Sequence, residues 1–192
     1  MKSEINQLLR QNKLDAIIIS GAREYNPPLT YFIKNYSFTR AIIVLLQNSE
    51  PVLFYRPMER DNAMKTALKS ISLDDFPTAA YQKEFEGNSS IVDALQLRDI
   101  LFSLGVHQGN VAFCGKLEFG EFYPVVEEFK KHVPLFHVKE SDGIDILNQA
   151  RYTKDADEIR AIENMGKIVT NVVGNVENYI RNCRLNDNFL VT

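Results

Sequence analysis

The sequence of 192 residues has few of the residues that build metal and disulfide sites. Its two cysteines, Cys114 and Cys183, lie in different regions, which excludes a disulfide framework and a cysteine-based zinc pattern. The three histidines, His107, His132 and His137, are isolated, and no H-x-x-x-H or HExxH spacing occurs. We therefore expect structural or surface histidines, and no metal or other cofactor bound by this chain.

Long hydrophobic runs and runs of basic residues are also missing. The longest apolar run, residues 41–46, is too short to span a bilayer, and residues 1–12 contain no apolar segment of signal-peptide length. The formal net charge is -3, and basic residues alternate with acidic ones, so no basic tract could follow a phosphate backbone. We expect a cytoplasmic protein that binds neither membrane nor nucleic acid.

The patterns of phosphate binding and nucleophilic catalysis are absent as well. The stretch from Gly115 to Glu121 is not a Walker pattern, and no G-x-G-x-x-G follows a predicted strand. Cys114 ends a predicted strand without an identifiable base, so we interpret it as a small buried residue. The acidic groups at 74–75, 127–128 and 155–158 are typical of solvated faces and helix caps. This chain alone is not expected to be an enzyme.

Hydrophobic residues, in contrast, make up 45% of the sequence, which is enough for the core of one α/β domain. Short apolar, mainly β-branched runs predict strands that are covered on both faces. Only four turn residues, 47–50, separate the second strand from the third, which predicts an antiparallel hairpin. The predicted strands are 14–20, 41–46, 51–55, 72–76, 110–114 and 134–139.

Apolar residues at helical spacing predict helices between these strands. Gly105 directly follows the predicted helix 91–104, at the position where a residue in the left-handed conformation commonly ends a helix. The predicted helices are 3–12, 58–69, 91–104, one around 122–129, and 142–149.

Three further local signals lead to definite expectations. Pro27 and Pro28 exclude a helix directly after the first strand. Ser90 with Asp93 three residues later resembles a capping box, with Asp in place of the usual Glu. Pro124 is acceptable only in the first turn of its helix.

The last segment differs in character from the rest. Asp155 and Glu158 form an N-cap pair, and apolar residues then recur at steps of three, four or seven over residues 159–180. The pattern predicts one helix of roughly seven turns. Because only residues 182–192 follow it, its apolar stripe indicates a missing partner.

Three features, in chain order, resemble the creatinase and Xaa-Pro aminopeptidase (aminopeptidase P) or prolidase family of pita-bread metalloenzymes. Residues 14–20 resemble that family's "GLDALLVS" strand. Asn26 and the run 31–34 (YFIK), before the hairpin, resemble its "N…YLTGF" loop, although Lys34 replaces a glycine. Residues 149–162 resemble its linker "lR.iKs..Ei..ir.A". The resemblance spans about residues 3–180.

The resemblance implies a fold and a division of the chain. The fold would be α/β, a three-layer domain with a mixed five- to six-stranded sheet, which is the creatinase/prolidase N-terminal domain with its ribonuclease-H-like motif. A C-terminal linker helix would follow it. Residues 1–150 would form this domain, and residues 151–192 would be the linker helix and the start of a catalytic pita-bread domain that is absent here.

The resemblance also implies a function. The chain would be the non-catalytic N-terminal domain of a Xaa-Pro aminopeptidase or dipeptidase, and it would shape the active-site cleft and a homodimer. Its partners would be its own C-terminal catalytic domain and, for the longer protein, a proline-containing peptide. Two divalent metal ions (Mn, Co or Zn) would be bound by two Asp, one His and two Glu beyond Thr192. Two alternatives stay open: a non-enzymatic binding module like the large subunit of the FACT histone chaperone, and a creatinase-type C–N hydrolase.

Phe38, Arg40 and Tyr31 are the substrate-proximal candidates that the resemblance implies. In creatinase-like enzymes an aromatic residue and an arginine from this region reach the substrate, in some cases in the neighbouring subunit. Arginine suits that task because its planar guanidinium binds a carboxylate through two hydrogen bonds. The alternative is that Arg40 is a charge at a strand edge and Phe38 a packing residue.

Overall fold

A computed structural model describes residues 3–139, 142–186 and 189–191 of the chain. Two compact units emerge, residues 1–150 and residues 151–192. Within the described residues, no helix combines the length and the apolar character that crossing a membrane requires.

A mixed six-stranded sheet organises residues 1–150, with strand order β4-β3-β2-β1-β5-β6. β1 pairs antiparallel with β2, and β2 with β3, while the other three pairings are parallel. The predicted hairpin of the second and third strands is therefore confirmed. The strands are β1 (Ala16–Gly21), β2 (Ala41–Leu46), β3 (Val52–Tyr55), β4 (Lys69–Ser72), β5 (Gly109–Cys114) and β6 (Phe136–Lys139).

Helices cover both faces of this sheet. One core lies between the sheet and α1, α2, α3 and α7, and the other lies between the sheet and α5 and α6. This arrangement confirms the three-layer α/β fold. The helices are α1 (Ser3–Gln11), α2 (Pro27–Ile33), α3 (Arg60–Lys65), α4 (Thr78–Glu84), α5 (Ser89–Ser103), α6 (Phe119–His132) and α7 (Asp142–Tyr152), with 3-10 turns at Pro57–Glu59 and Leu73–Asp75.

The central strand β1 explains why its sequence is apolar without interruption. Ile17 and Ile19 point into the first core, and Ile18 points into the second. All three side chains are fully buried. Alternate residues of a strand face opposite sides of a sheet, so a strand with two cores needs apolar residues at every position.

The expectation that Pro27 and Pro28 exclude a helix is wrong. Both prolines open α2, where the first N–H groups have no partner within the helix and a proline loses nothing. The side chain of Asn26 caps this helix by accepting a hydrogen bond from the backbone N–H of Leu29 at 3.4 Å. The prolines therefore mark a helix start.

Two other expectations about where helices begin are also wrong. Helix α5 begins two residues earlier than the Ser90 signal indicated, and its N-cap is Asn88, whose side chain accepts from the N–H of Ile91 at 3.3 Å. Asp93 does not cap α5, and its carboxylate forms an ion pair with Arg40 instead. Pro124 is the sixth residue of α6, because the helix already begins at Phe119.

The region after β3 differs from the prediction as well. The helix predicted over 58–69 ends at Lys65, and the strand predicted over 72–76 lies earlier, as β4. Ala67 has a φ of 60°, a left-handed conformation that a helix cannot contain. Pairing with β3 sets the strand register, with Val52 opposite Lys69 and Tyr55 opposite Ser72.

Residues 151–192 contain the long helix that the sequence predicted. Helix α8 covers Ala156–Asn182, and Asp155 and Glu158 form its capping box, as expected. Two short strands, β7 (Arg184–Asn186) and β8 (Phe189–Val191), pair antiparallel after it. The apolar stripe of α8 is 46–61% exposed and comprises Ile159, Ile162, Met165, Ile168, Val169, Val172, Val173, Val176, Tyr179 and Ile180.

We expect the purified chain to self-associate through this stripe, since a continuous exposed apolar surface is unusual for a monomer. Val172→Glu should weaken the association in sedimentation experiments because it places a charge in the stripe. Asn171→Glu adds the same charge to the opposite side of α8 and should leave the association intact. A monomer whose α8 amides are fully protected from hydrogen exchange would contradict this expectation.

Candidate functional site

A polar cleft of about 480 Å³ lies at one edge of the sheet. Arg56 follows β3 directly, and Asp74 lies in the 3-10 turn after β4. Arg40 directly precedes β2, which is antiparallel to β3 and therefore starts at the same edge. Ligands of open α/β sheets commonly bind outside the carboxyl ends of parallel strands, and β3 and β4 provide such ends. The other lining residues are Leu73, Thr78, Gln82, Gly87, Ser89, Val92, Asp93 and Gln96.

Arg40 is held in this cleft by an ion pair with Asp93. Nη2 of Arg40 lies 2.7 Å from Oδ2 of Asp93, and the two side chains are 34% and 25% exposed. The partner comes from α5, 53 residues further along the chain. The guanidinium of Arg40 is thus oriented and electrically compensated by the protein itself.

Glu59 fixes the segment that carries Arg40. Its Oε1 accepts hydrogen bonds from the backbone N–H of Thr39 and from the Thr39 hydroxyl, the latter at 2.8 Å. Asn62 adds a bond from its Nδ2 to the carbonyl oxygen of Ser37, also at 2.8 Å. Glu59 is only 7% exposed, and its Oε2 has no hydrogen-bond partner within the described residues. A carboxylate is buried at a cost unless it is bonded, so this geometry indicates a positioning role.

Phe38 and Tyr31 occupy different positions from Arg40. Phe38 is 1% exposed and belongs to the core formed with α1 and α2. Tyr31 lies on α2, half-buried, with its ring edge-on to Phe32 at 5.1 Å. Neither residue lines the cleft. The structure thus places Arg40 in the cleft and gives Phe38 and Tyr31 packing contacts.

Lys34 stands where the resembled loop has a glycine, and the chain nevertheless turns there after α2. Lys34 has a φ of 57°, and its N–H donates to the carbonyl oxygen of Thr30 at 2.8 Å. Its own carbonyl accepts from Nε of Arg23 at 3.2 Å. The lysine therefore holds a positive φ that glycine adopts more easily, and local bonds maintain it.

Cys114 lacks the properties of a nucleophile. Burial raises the pKa of its thiol to about 12, so the thiolate is scarce at neutral pH. It lines a second, mainly apolar cleft of about 270 Å³ together with Phe113, Phe122 and Tyr123.

The three histidines lie at different places along the fold. His107 follows α5, His132 ends α6 next to Glu128 at 3.3 Å, and His137 lies in β6. Within residues 3–139, 142–186 and 189–191, no group of three or more His, Cys, Asp or Glu could hold a metal ion. The described residues therefore offer no ligand set of that kind.

Comparison with known proteins adds the fold relationship. No protein-family profile and no curated protein matches this sequence. Among solved structures, a dipeptidase from Pyrococcus horikoshii OT3 matches with a TM-score of 0.55 and 14% identity, over 93% of this chain and 44% of that one. An X-Pro aminopeptidase from Thermotoga maritima MSB8 matches with 0.54 and 15%, over 83% and 38%. The dipeptidase PepE from Mycobacterium ulcerans matches with 0.53 and 18%, over 92% and 42%.

The chain has the fold of the amino-terminal domain of the pita-bread peptidases. At these identities the similarity establishes the fold alone. This chain also spans less than half the length of the three structures it matches.

The ion pair of Arg40 and Asp93 can be measured with a double-mutant cycle. We expect Arg40→Ala, Asp93→Ala and the double variant to give a coupling free energy of about 0.5–1 kcal/mol in urea unfolding, because the pair is partly exposed and screened by solvent. High salt should reduce the coupling. Additive single effects at low salt would show that the two side chains do not pair in solution.

Glu59 should contribute more to the free energy of unfolding than an exposed glutamate does. Glu59→Ala removes the acceptor for two Thr39 donors, and we expect a loss of about 2–4 kcal/mol in the free energy of unfolding. Glu59→Gln keeps one oxygen acceptor and should lose less. Glu24→Ala, an exposed control, should stay within about 0.5 kcal/mol of the natural chain. Equal losses for Glu59→Ala and Glu24→Ala in denaturant titrations would contradict the positioning role.

Proposed function

We propose that this chain is the non-catalytic amino-terminal domain of a Xaa-Pro aminopeptidase or dipeptidase, and that it shapes the active-site cleft and the dimer of a dinuclear-metal hydrolase. The observation that supports the proposal best is the shared fold with two dipeptidases and one X-Pro aminopeptidase. The coverage fits this role, because this chain corresponds to 38–44% of those chains.

The chemistry would then take place in the other part of the longer protein. Two divalent metal ions, bound by two Asp, one His and two Glu of a catalytic domain, would supply an activated water and polarise the scissile carbonyl. The residues of this chain would contribute by binding and orienting the substrate and by limiting its length. A cytoplasmic location is part of the same proposal and is consistent with the two free cysteines.

Of the three candidates Arg40, Phe38 and Tyr31, Arg40 is the one that we place near the substrate. Its guanidinium lies in the polar cleft, and both Asp93 and the segment held by Glu59 restrict its position. A restricted guanidinium loses less conformational freedom when it binds a ligand. Phe38 and Tyr31 would support this segment by packing behind it.

The dimer and the contact with a catalytic domain would use apolar surface outside the cleft. The stripe of α8 defined above offers such a surface, since ten apolar side chains are about half exposed along it. Surfaces of this kind in soluble proteins usually bind another domain or subunit.

The experiment compares this chain with the longer protein that contains it. We expect the reading frame beyond Thr192 to encode the five metal ligands. The longer protein should hydrolyse an X-Pro dipeptide with added Mn²⁺ or Co²⁺, and a chelator should abolish the turnover. This chain alone, at equal molar concentration, should release no proline above a mock preparation.

The outcomes separate the proposal from its alternatives. Chelator-sensitive turnover by residues 1–192 alone would contradict the non-catalytic assignment. A longer protein without the five ligands and without turnover would favour a binding module of the FACT type. Chelator-resistant hydrolysis of a small guanidino compound would favour a creatinase-type C–N hydrolase.

A further inference from the structure

We infer that the polar cleft binds the carboxylate of a short zwitterionic peptide or amino acid, and that Arg56 supplies the guanidinium that receives it. Arg56 is a different residue from Arg40, which is proposed above to lie near the substrate, and no sequence motif indicated it. The hairpin register, the side-chain partners and the charges that line the cleft support its assignment.

The hairpin register brings two arginines to neighbouring positions. Ala41 of β2 is opposite Tyr55 of β3, so Arg40 and Arg56 are the next residues on the two strands. Directly opposed like charges destabilise a strand pair unless something compensates them. Asp93 compensates Arg40 at 2.7 Å.

Arg56 has no such compensation. Its side chain is exposed, and it makes no hydrogen bond or ion pair with any described residue. Its backbone is nevertheless fixed, because its carbonyl accepts from the N–H of Glu59 at 2.8 Å and because Pro57, the next residue, restricts Arg56 to an extended conformation. A free guanidinium on a fixed backbone at a concave surface is well placed to bind an anion.

The remaining charges select the kind of anion. Because Arg40 and Asp93 cancel, the cleft is left with Arg56 and with Asp74, whose carboxylate is exposed and likewise makes no ion pair with a described residue. A ligand with one carboxylate and one ammonium group complements this pair. Inorganic phosphate fits less well, since its second negative charge would meet the uncompensated carboxylate of Asp74. The cleft volume of about 480 Å³ is within the usual range for small-molecule sites.

Neutral polar groups complete the lining. Gln96 is 7% exposed, and its Nε2 donates to the hydroxyl of Thr78 at 2.8 Å, which ties α5 to α4 across the base of the cleft. Ser89 is the first residue of α5, and the first turn of that helix contains no acidic residue. The positive end of the α5 dipole therefore adds to the attraction for a carboxylate. The choice of a peptide as the ligand rests on the proposed function. The preference for a zwitterion rests on the charges of the cleft and is independent of that function.

The test is a binding titration of the purified 192-residue chain. Binding is measured by calorimetry and by changes in amide chemical shifts in NMR spectra. The probes are Ala-Pro, N-acetyl-Ala-Pro without the ammonium group, Ala-Pro amide without the carboxylate, and inorganic phosphate. We expect Ala-Pro to bind best, the acetylated peptide to bind several-fold more weakly, and the amide to bind weakest of the peptides. Phosphate that binds more tightly than N-acetyl-Ala-Pro would overturn the assignment to a carboxylate.

The variants identify the residue. Arg56→Ala should weaken Ala-Pro binding by about tenfold or more, and Arg56→Lys should recover part of the loss. Asp74→Asn should weaken Ala-Pro but leave N-acetyl-Ala-Pro unchanged. Arg60→Ala is the matched control, because Arg60 is exposed on α3 and does not line the cleft. Each variant should keep the thermal midpoint of the natural chain.

Two further results would overturn the inference. One is the absence of saturable binding of any peptide at tens of millimolar by the natural chain, a concentration that detects even weak complexes. The other is binding that Arg40→Ala removes and Arg56→Ala does not. Neither result bears on whether the longer protein hydrolyses X-Pro peptides, so the two proposals fail independently.

Discussion

The pairing of β1 on both of its edges is the constraint on which residues 1–150 depend. β1 bonds antiparallel to β2 and parallel to β5, and so it joins the hairpin half of the sheet to the parallel half. Its side chains enter both cores, and a register slip of one residue would exchange Ile18 with its neighbours between them. Two cores that share one strand therefore place β1 inside the sheet, between β2 and β5. The cleft exists because this order brings β3 and β4 together in parallel at one end of the sheet.

How far the sequence predicts this fold depends on how strongly each segment is buried. β1, β2 and β3 are recognisable because burial on both faces leaves uninterrupted apolar runs. β4 is not, because its four residues are partly exposed at the edge of the sheet and only Ile71 is apolar. The start of α2 was missed since a proline excludes a helix interior but favours its first turn, and the sequence does not show which applies.

The site was less predictable than the fold because its key contacts are distant in sequence. Arg40 was identified by family resemblance, but Asp93 was interpreted as a helix cap, and 53 residues separate the two. Glu59 contacts Thr39 across 20 residues and has no motif of its own. Arg56 directly follows the predicted strand 51–55, but its lack of a described partner is visible only in the three-dimensional arrangement.

The register of the hairpin has a thermodynamic consequence. Arg40 and Arg56 continue the two strands beyond the last paired residues, Ala41 and Tyr55, so their mutual repulsion acts at the open end of the β2–β3 ladder. An anion bound to Arg56 would lower that repulsion in the folded state and would have no equivalent site in the unfolded chain. Ligand occupancy and fraying of this strand end are then linked equilibria, and each must influence the other. The extent to which this end of the β2–β3 ladder opens would therefore depend on whether the cleft is occupied.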